Sequence, residues 1–183
     1  MGLDKEAIYC ELLVLRCRRG DRAAWEDLIG HWERRLFYYI RRLVDDEPDA
    51  WDVLQQTWMA AYKGVGGIRD GRALPKWLYR TARNLALMQR RRKHPREELD
   101  AGDEGLAAEA GDEEGVAFDR TELVHQALDE LALAQREVLT LYFLQDLSVP
   151  EIAEVTGVPA GTVKSRLYYA KRALRNVIEK GAL

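Results

Sequence analysis

The chain has 183 residues, a formal net charge of −3, and 47% hydrophobic against 32% charged residues, a soluble globular composition. Its apolar runs are too short to span a bilayer and its opening, MGLDKEAIYCELLVLRC, is amphipathic, so neither a membrane anchor nor a signal peptide is expected. Cys10 and Cys17 stand seven apart on a helical pattern, where about 10 Å of helix rise excludes a disulfide, so buried thiols in a reducing cytoplasm are expected.

Helical signals run along the chain and no segment reads as strand-rich, so the fold class is all-α. Leu12, Leu15, Trp25, Leu28 and Ile29 fall at helical spacing, with GDRAAW marking a break and restart around Asp21. Leu36, Phe37, Ile40 and Leu43 continue the second helix. A third opens near Pro48 or Asp49 and runs to about Tyr62. GVGGIRDGRALP is a loop, because four glycines and a proline in twelve residues punctuate too heavily for a helix. A fourth helix covers residues 77–92 and is closed by Pro95. Trp77, Leu78, Ala82, Leu85 and Met88 would bury against the first three helices, leaving Lys76, Arg80, Arg83, Asn84 and residues 90–93 outward.

Composition then changes. EELDAGDEGLAAEAGDEEGVAFD holds four glycines, many acids and few large apolar side chains, too little burial to offset the entropy of ordering. Residues 96–118 are therefore read as an acidic flexible linker between two small helical domains, residues 1–95 and 119–183. Residues 76–96 carry eight Lys or Arg and no acid, residues 97–122 eleven acids against one Arg, and residues 164–183 six basic residues against one acid. The near-neutral total conceals two basic helices separated by an acidic strap.

In the second domain Asp119 can cap a helix with Glu122 at the matching position, and Leu123, Leu128 and Leu131 lie on one side. A second helix over residues 135–143 uses Val138, Leu139, Leu141 and Tyr142. Ser148 with Glu151 forms a capping box, with Pro150 in the first turn, and this short helix stops at Gly157, which can take a positive φ. The last helix starts at Pro159 or Ala160. Its apolar stripe is Val163, Leu167, Ala170, Leu174 and Val177 or Ile178. Thr162, Lys164, Ser165 and Tyr168 remain outside, with Arg166 at their edge and Lys171, Arg172 and Arg175 following. Short polar and basic groups at the start of such a helix can meet base edges while later cations hold phosphates, so residues 148–172 read as a helix-turn-helix.

These residues carry a resemblance. VLTLYFLQDLSVPEIAEVTGVPAGTVKSRLYYAKRALR resembles region 4 of the extracytoplasmic-function (ECF) group of bacterial sigma factors, the promoter-specificity subunits of RNA polymerase. AWEDLIGHWERRLFYYIRRLV, DEPDAWDVLQQTWMAAYK and LPKWLYRTARNLALMQRRR resemble region 2 of the same family, in the same order. The resemblance implies that Thr162, Lys164, Ser165, Arg166, Tyr168, Lys171, Arg172 and Arg175 meet the −35 element. It implies that Asp49, Asp52, Val53, Gln55 and Gln56 grip the clamp helices of the β′ subunit of core RNA polymerase, and that the second domain meets the β flap. For the −10 element it implies Arg69, Asp70 and Arg72 of the loop with Lys76, Arg80, Arg83, Asn84, Arg90 and Arg91. With Trp77 and Tyr79 these form a cationic track with rings, as a single strand requires. Many members are also held inactive by an anti-sigma factor.

The first four tryptophans read as core or interface, with Trp51, beside the presumed polymerase contacts, as an interface anchor. No catalytic arrangement competes: His31, His94 and His125 are scattered, and neither a phosphate-binding loop nor zinc spacing is present. The expectation is a cytoplasmic, non-enzymatic promoter-recognition subunit without a cofactor. The alternative is a helix-turn-helix regulator that binds duplex DNA without polymerase.

Overall fold

Four α-helices and two single-turn 3₁₀ segments build the first unit of a computed structural model that describes residues 2–95 and 121–181. The helices are α1 (Gly2–Arg18), α2 (Arg22–Arg41), α3 (Glu47–Gly64) and α4 (Leu74–Lys93), and the unit extends over Met1–His94. Residues 96–120, including the expected linker and the cap at Asp119, lie outside the described residues.

Local chemistry sets each boundary. Gly20, at φ 78°, takes the left-handed conformation that reverses the chain after α1. Asp21 then caps α2, accepting from the Ala24 amide at 3.2 Å while Arg16 Nε donates to its other oxygen at 2.8 Å. Asp46 caps α3 in the same way through the Asp49 amide at 2.9 Å, with Pro48 in the first turn where its missing N–H is harmless.

The core is built from Cys10, Leu13, Val14 and Cys17 of α1, Leu28, Trp32, Leu36 and Ile40 of α2, Val53 and Leu54 of α3, and Leu78, Tyr79 and Ala82 of α4. A fully buried leucine such as Leu28 or Leu36 stabilises the fold by about 2 kcal/mol, and truncating it to alanine costs about 2–5 kcal/mol. The expected face of α1 is corrected by this packing. Leu12 and Leu15 are 50% and 46% exposed, and the buried stripe is rotated onto the cysteines. Met88, expected inside, is exposed, whereas Tyr79, expected as a ring for nucleic acid, is buried edge-on against Trp32 and Tyr39.

α3 and α4 run antiparallel, since the start of α3 meets the end of α4 and Gly64 at the end of α3 meets Trp77 near the start of α4. Between them the expected loop tightens into two 3₁₀ turns, Val65–Gly67 and Gly71–Ala73. Ile68 and Leu74 anchor it inside, and Gly71 lies so close to α1 that a Cβ there would stand 2.2 Å from Glu11 Cα. Only glycine permits that approach.

The second unit holds α5 (Thr121–Asp129), α6 (Leu133–Leu139), α7 (Val149–Thr156) and α8 (Ala160–Gly181). α6 passes into a π-helical turn, Thr140–Leu144, in place of the continuous helix expected over residues 135–143. The turn keeps Leu141 inside but exposes Tyr142, Phe143 and Leu144, so Tyr142 does not join the core as expected. The capping box is present: Glu151 accepts from the Ser148 amide at 2.9 Å, and Gly157 ends α7 at φ 74° with its amide on Ala153 O. Val163, Leu167, Ala170 and Leu174 of α8 are buried, as the periodicity requires.

Candidate nucleic-acid interface

α8 presents its polar residues by default, because the apolar stripe occupies its other side. Lys164 and Arg172 are exposed, and Thr162, Ser165, Tyr168 and Lys171 are half-exposed. Steps of three and four along Gly161, Ser165, Tyr168 and Arg172 define one outward stripe. Arg172 lies over the Tyr168 ring, 5.7 Å from its centroid, which holds a cation and a flat ring on neighbouring turns. Ser165 Oγ donates to Thr162 O at 3.0 Å, fixing its rotamer. Arg166 is half-buried at the edge, and its Nε is shut off from solvent without an acceptor. Arg175 is exposed one turn beyond Arg172.

In the first unit the loop and α4 form a second basic surface. Arg69, Asp70 and Arg72 are exposed between the buried anchors Ile68 and Leu74, and Asp70 accepts from the Arg72 amide at 3.0 Å. On α4, Arg80, Asn84 and Arg91 share one exposed stripe, with Lys76 and Arg83 half-buried beside it. Residues 90–93 do not act alike. Arg91, Arg92 and Lys93 are all exposed, but Lys93 Nζ bridges Asp46 at 2.9 Å and Asp49 at 2.5 Å, and the half-buried Arg90 meets Asp45 Oδ1 through Nη1 at 2.9 Å. The lysine and the backbone amide of Asp49 hold the Asp46 carboxyl below the usual carboxylate range, and the paired carboxylates raise Lys93.

The five residues assigned to α3 separate into two sets. Asp52 and Gln55 are exposed and Gln56 is half-exposed. Val53 is fully buried, and Asp49, 6% exposed, is held by Gln89 Nε2 at 2.9 Å as well as by Lys93. Sequence spacing put all four polar groups on one side. Burial shows that the side turns inward at Asp49.

Next to Asp52, Trp51 is 48% exposed and stacks on Phe37 with centroids 4.2 Å apart. It opens a groove of about 480 Å³ between α2 and α3, floored by Leu54 and Trp58 and walled by Met59 and Tyr62. This groove was missed in the sequence, although apolar residues on both sides of α3 were its signal. Among the described residues no His, Cys, Asp or Glu cluster is arranged for a metal ion, and no helix is long and apolar enough to cross a membrane.

Residues 28–96 match the family model for sigma-70 region 2, and residues 121–174 match that for sigma-70, region 4. The RNA polymerase sigma-H factor of Pseudomonas aeruginosa is 34% identical over 178 residues, covering 91% of this chain and 92% of that protein. The ECF RNA polymerase sigma factor SigW of Bacillus subtilis is 28% identical over 173 residues, with 88% and 92% covered. Among solved structures, CnrH in complex with the cytosolic domain of CnrY has a TM-score of 0.69 at 24% identity, over 94% of this chain and 98% of that one. The sigma factor RpoE of Bartonella quintana, in complex with the anti-sigma factor NepR, gives 0.62 at 24% identity, over 84% and 98%.

Proposed function

This chain belongs to the ECF group of the sigma-70 family of RNA polymerase sigma factors, and from that premise we propose how its residues divide promoter recognition. As a sigma factor it is a non-catalytic subunit that directs transcription initiation by core RNA polymerase. In this reading the second unit, beginning near residue 119, takes the −35 duplex on α8. The first unit, ending near residue 95, takes the −10 strand along the loop and the stripe Arg80, Asn84 and Arg91. The observation that carries the reading is the two-sided α8. Its buried stripe leaves Lys164, Ser165, Tyr168 and Arg172 together on the outer side of a helix that follows a capped helix and a left-handed glycine turn.

Asp52, Gln55 and Gln56 form the surface for the β′ clamp helices, supported by their exposure on one side of α3. Val53 packs beneath them, and Asp49 acts through α4. Trp51 and the groove beside it extend this surface with an apolar anchor. The exposed corner of Tyr142, Phe143 and Leu144 supports a contact of the second unit with the β flap. An anti-sigma factor is a further partner of this chain, supported by the solved complex of RpoE with NepR. Run-off transcription with core polymerase over a genomic promoter library tests the function: promoter-dependent transcripts are expected, and duplex binding without them would favour the regulator. In a competition for core, Asp52→Arg should lose about tenfold or more in affinity while the exposed site leaves the far-ultraviolet dichroism unchanged. Undiminished competition would remove α3 from the interface.

A further inference from the structure

Three carboxylates at the start of α3 face the basic end of α4 across the antiparallel helix pair. Asp45 holds Arg90 at 2.9 Å and His94 Nε2 at 2.8 Å. Asp46 and Asp49 share the Lys93 ammonium, and Asp49 also accepts from Gln89. These contacts join residues forty to forty-nine positions apart. They therefore depend on the fold rather than on local helix pairing. Arg80 and Arg91 lie outside this cluster, so the basic charge of α4 is of two kinds: cations outside the carboxylate cluster, and cations paired with it, Lys93 among them although it is 41% exposed.

We propose that Asp45, Asp46 and Asp49 form an autoinhibitory clamp that occupies Arg90 and Lys93 in the free protein, so that a nucleic-acid strand must displace carboxylates to engage those two cations. The inference rests on the reading of α4 as the −10 strand track. Phosphates and carboxylates are alternative acceptors for the same nitrogens, and an ammonium between two carboxylates has little positive potential left for a third anion. The clamp confines strand binding to Arg80, Asn84 and Arg91 until a correctly placed strand competes for the rest. It lowers affinity for indiscriminate DNA while leaving the cations in position. Asp49 lies on the helix assigned to polymerase, so the clamp sits where the two assigned surfaces meet.

The full-length chain is titrated with a fluorescent single-stranded oligonucleotide at several salt concentrations. Asp45→Asn with Asp46→Asn removes two of the carboxylates, and asparagine keeps the cap of α3 because it serves about as well as aspartate there. Glu26→Gln with Glu33→Gln on α2 makes the same change of net charge away from α4. The clamp predicts about five- to tenfold tighter binding for the first pair at low salt, with the logarithmic salt slope steeper by about one, as one to two further phosphate contacts require. The second pair should gain less than twofold. Arg90→Ala with Lys93→Ala should cost little in the native background and abolish the gain in the asparagine background. If Arg80→Ala and Arg91→Ala weaken binding but the asparagine pair binds like the native chain, the clamp is overturned and the reading of α4 stands. If Arg80→Ala and Arg91→Ala change nothing, that reading falls and the clamp falls with it.

Discussion

Burial pushes the thiols of Cys10 and Cys17 up to about 11, with Glu6 and Asp21 respectively adding to the effect of the apolar surroundings. A raised thiol pKa means that the folded protein holds the proton more tightly than the open chain, whose thiols titrate near 9. The resulting stability is fully present below that pH and is lost as pH rises toward 11. Two pH units also leave about a hundredth of the thiolate that an open chain presents. At pH 8 a disulfide reagent should therefore label the native protein at least about a hundredfold more slowly than the denatured protein. Rapid labelling of both thiols in the native state would show that α1 does not bury this side. The sequence supported burial of the thiols but placed the rest of α1 wrongly, because Ile8, Leu12, Leu13, Val14 and Leu15 surround the helix and periodicity cannot choose among its faces. Asp49 and Tyr79 were misread for a different reason. The partners that draw them inward are more than thirty residues away, and only the packing of α4 on α2 and α3 brings them together.

Whole elements were easier to read where one short signal determines each end. Ser148, Glu151, Gly157 and the stripe of α8 define a capped helix, a turn and an amphipathic helix without help from distant residues. The π-helical turn after α6 has no such signal. Its sequence, TLYFL, is as compatible with a continued α-helix, and the difference appears only when Thr140 and Leu141 are buried and the three residues after them are not. The two-sided α8 should also fail in two ways. Lys164→Ala or Arg166→Ala, at the end proposed to face the groove, should relax base preference, because a base-edge contact discriminates by about 1–3 kcal/mol. Arg175→Ala, farther along, should weaken matched and mismatched −35 duplexes by similar factors and reduce the salt slope by about one. Fluorescence titrations on duplexes with single-base changes separate these outcomes, and the reverse pattern would shift the assigned register of α8. Leu167→Asp should unfold the second unit, since an unpaired carboxylate in the buried stripe costs about 3–5 kcal/mol. Loss of helical dichroism with an unchanged first unit is the expected result.

Charge separation along the chain operates over the whole molecule. Seven carboxylates and no basic residue lie in residues 100–114, and the formal net charge of the chain is −3. Deleting this stretch makes the net charge positive while removing no residue of either assigned DNA surface. At a salt concentration of about 0.01 M the screening length is about 30 Å, so these carboxylates lower the potential at both basic helices wherever they stand within that range. At about 0.15 M it falls to about 8 Å and only close charges still interact. The deletion should therefore raise DNA affinity markedly at low salt and little at physiological salt, giving a steeper salt dependence than the native chain has. This effect differs from that of the asparagine pair at the start of α3. There the carboxylates are within 3 Å of their cations, so part of the gain should persist when salt has erased the effect of the linker. Combining the deletion with the asparagine pair should give additive free-energy changes, because a diffuse field and a direct ion pair share no partner. Titration of the native chain, the deletion, the asparagine pair and their combination at two salt concentrations measures both contributions. An unchanged salt dependence on deletion would limit the acidic segment to a spacer between the two units.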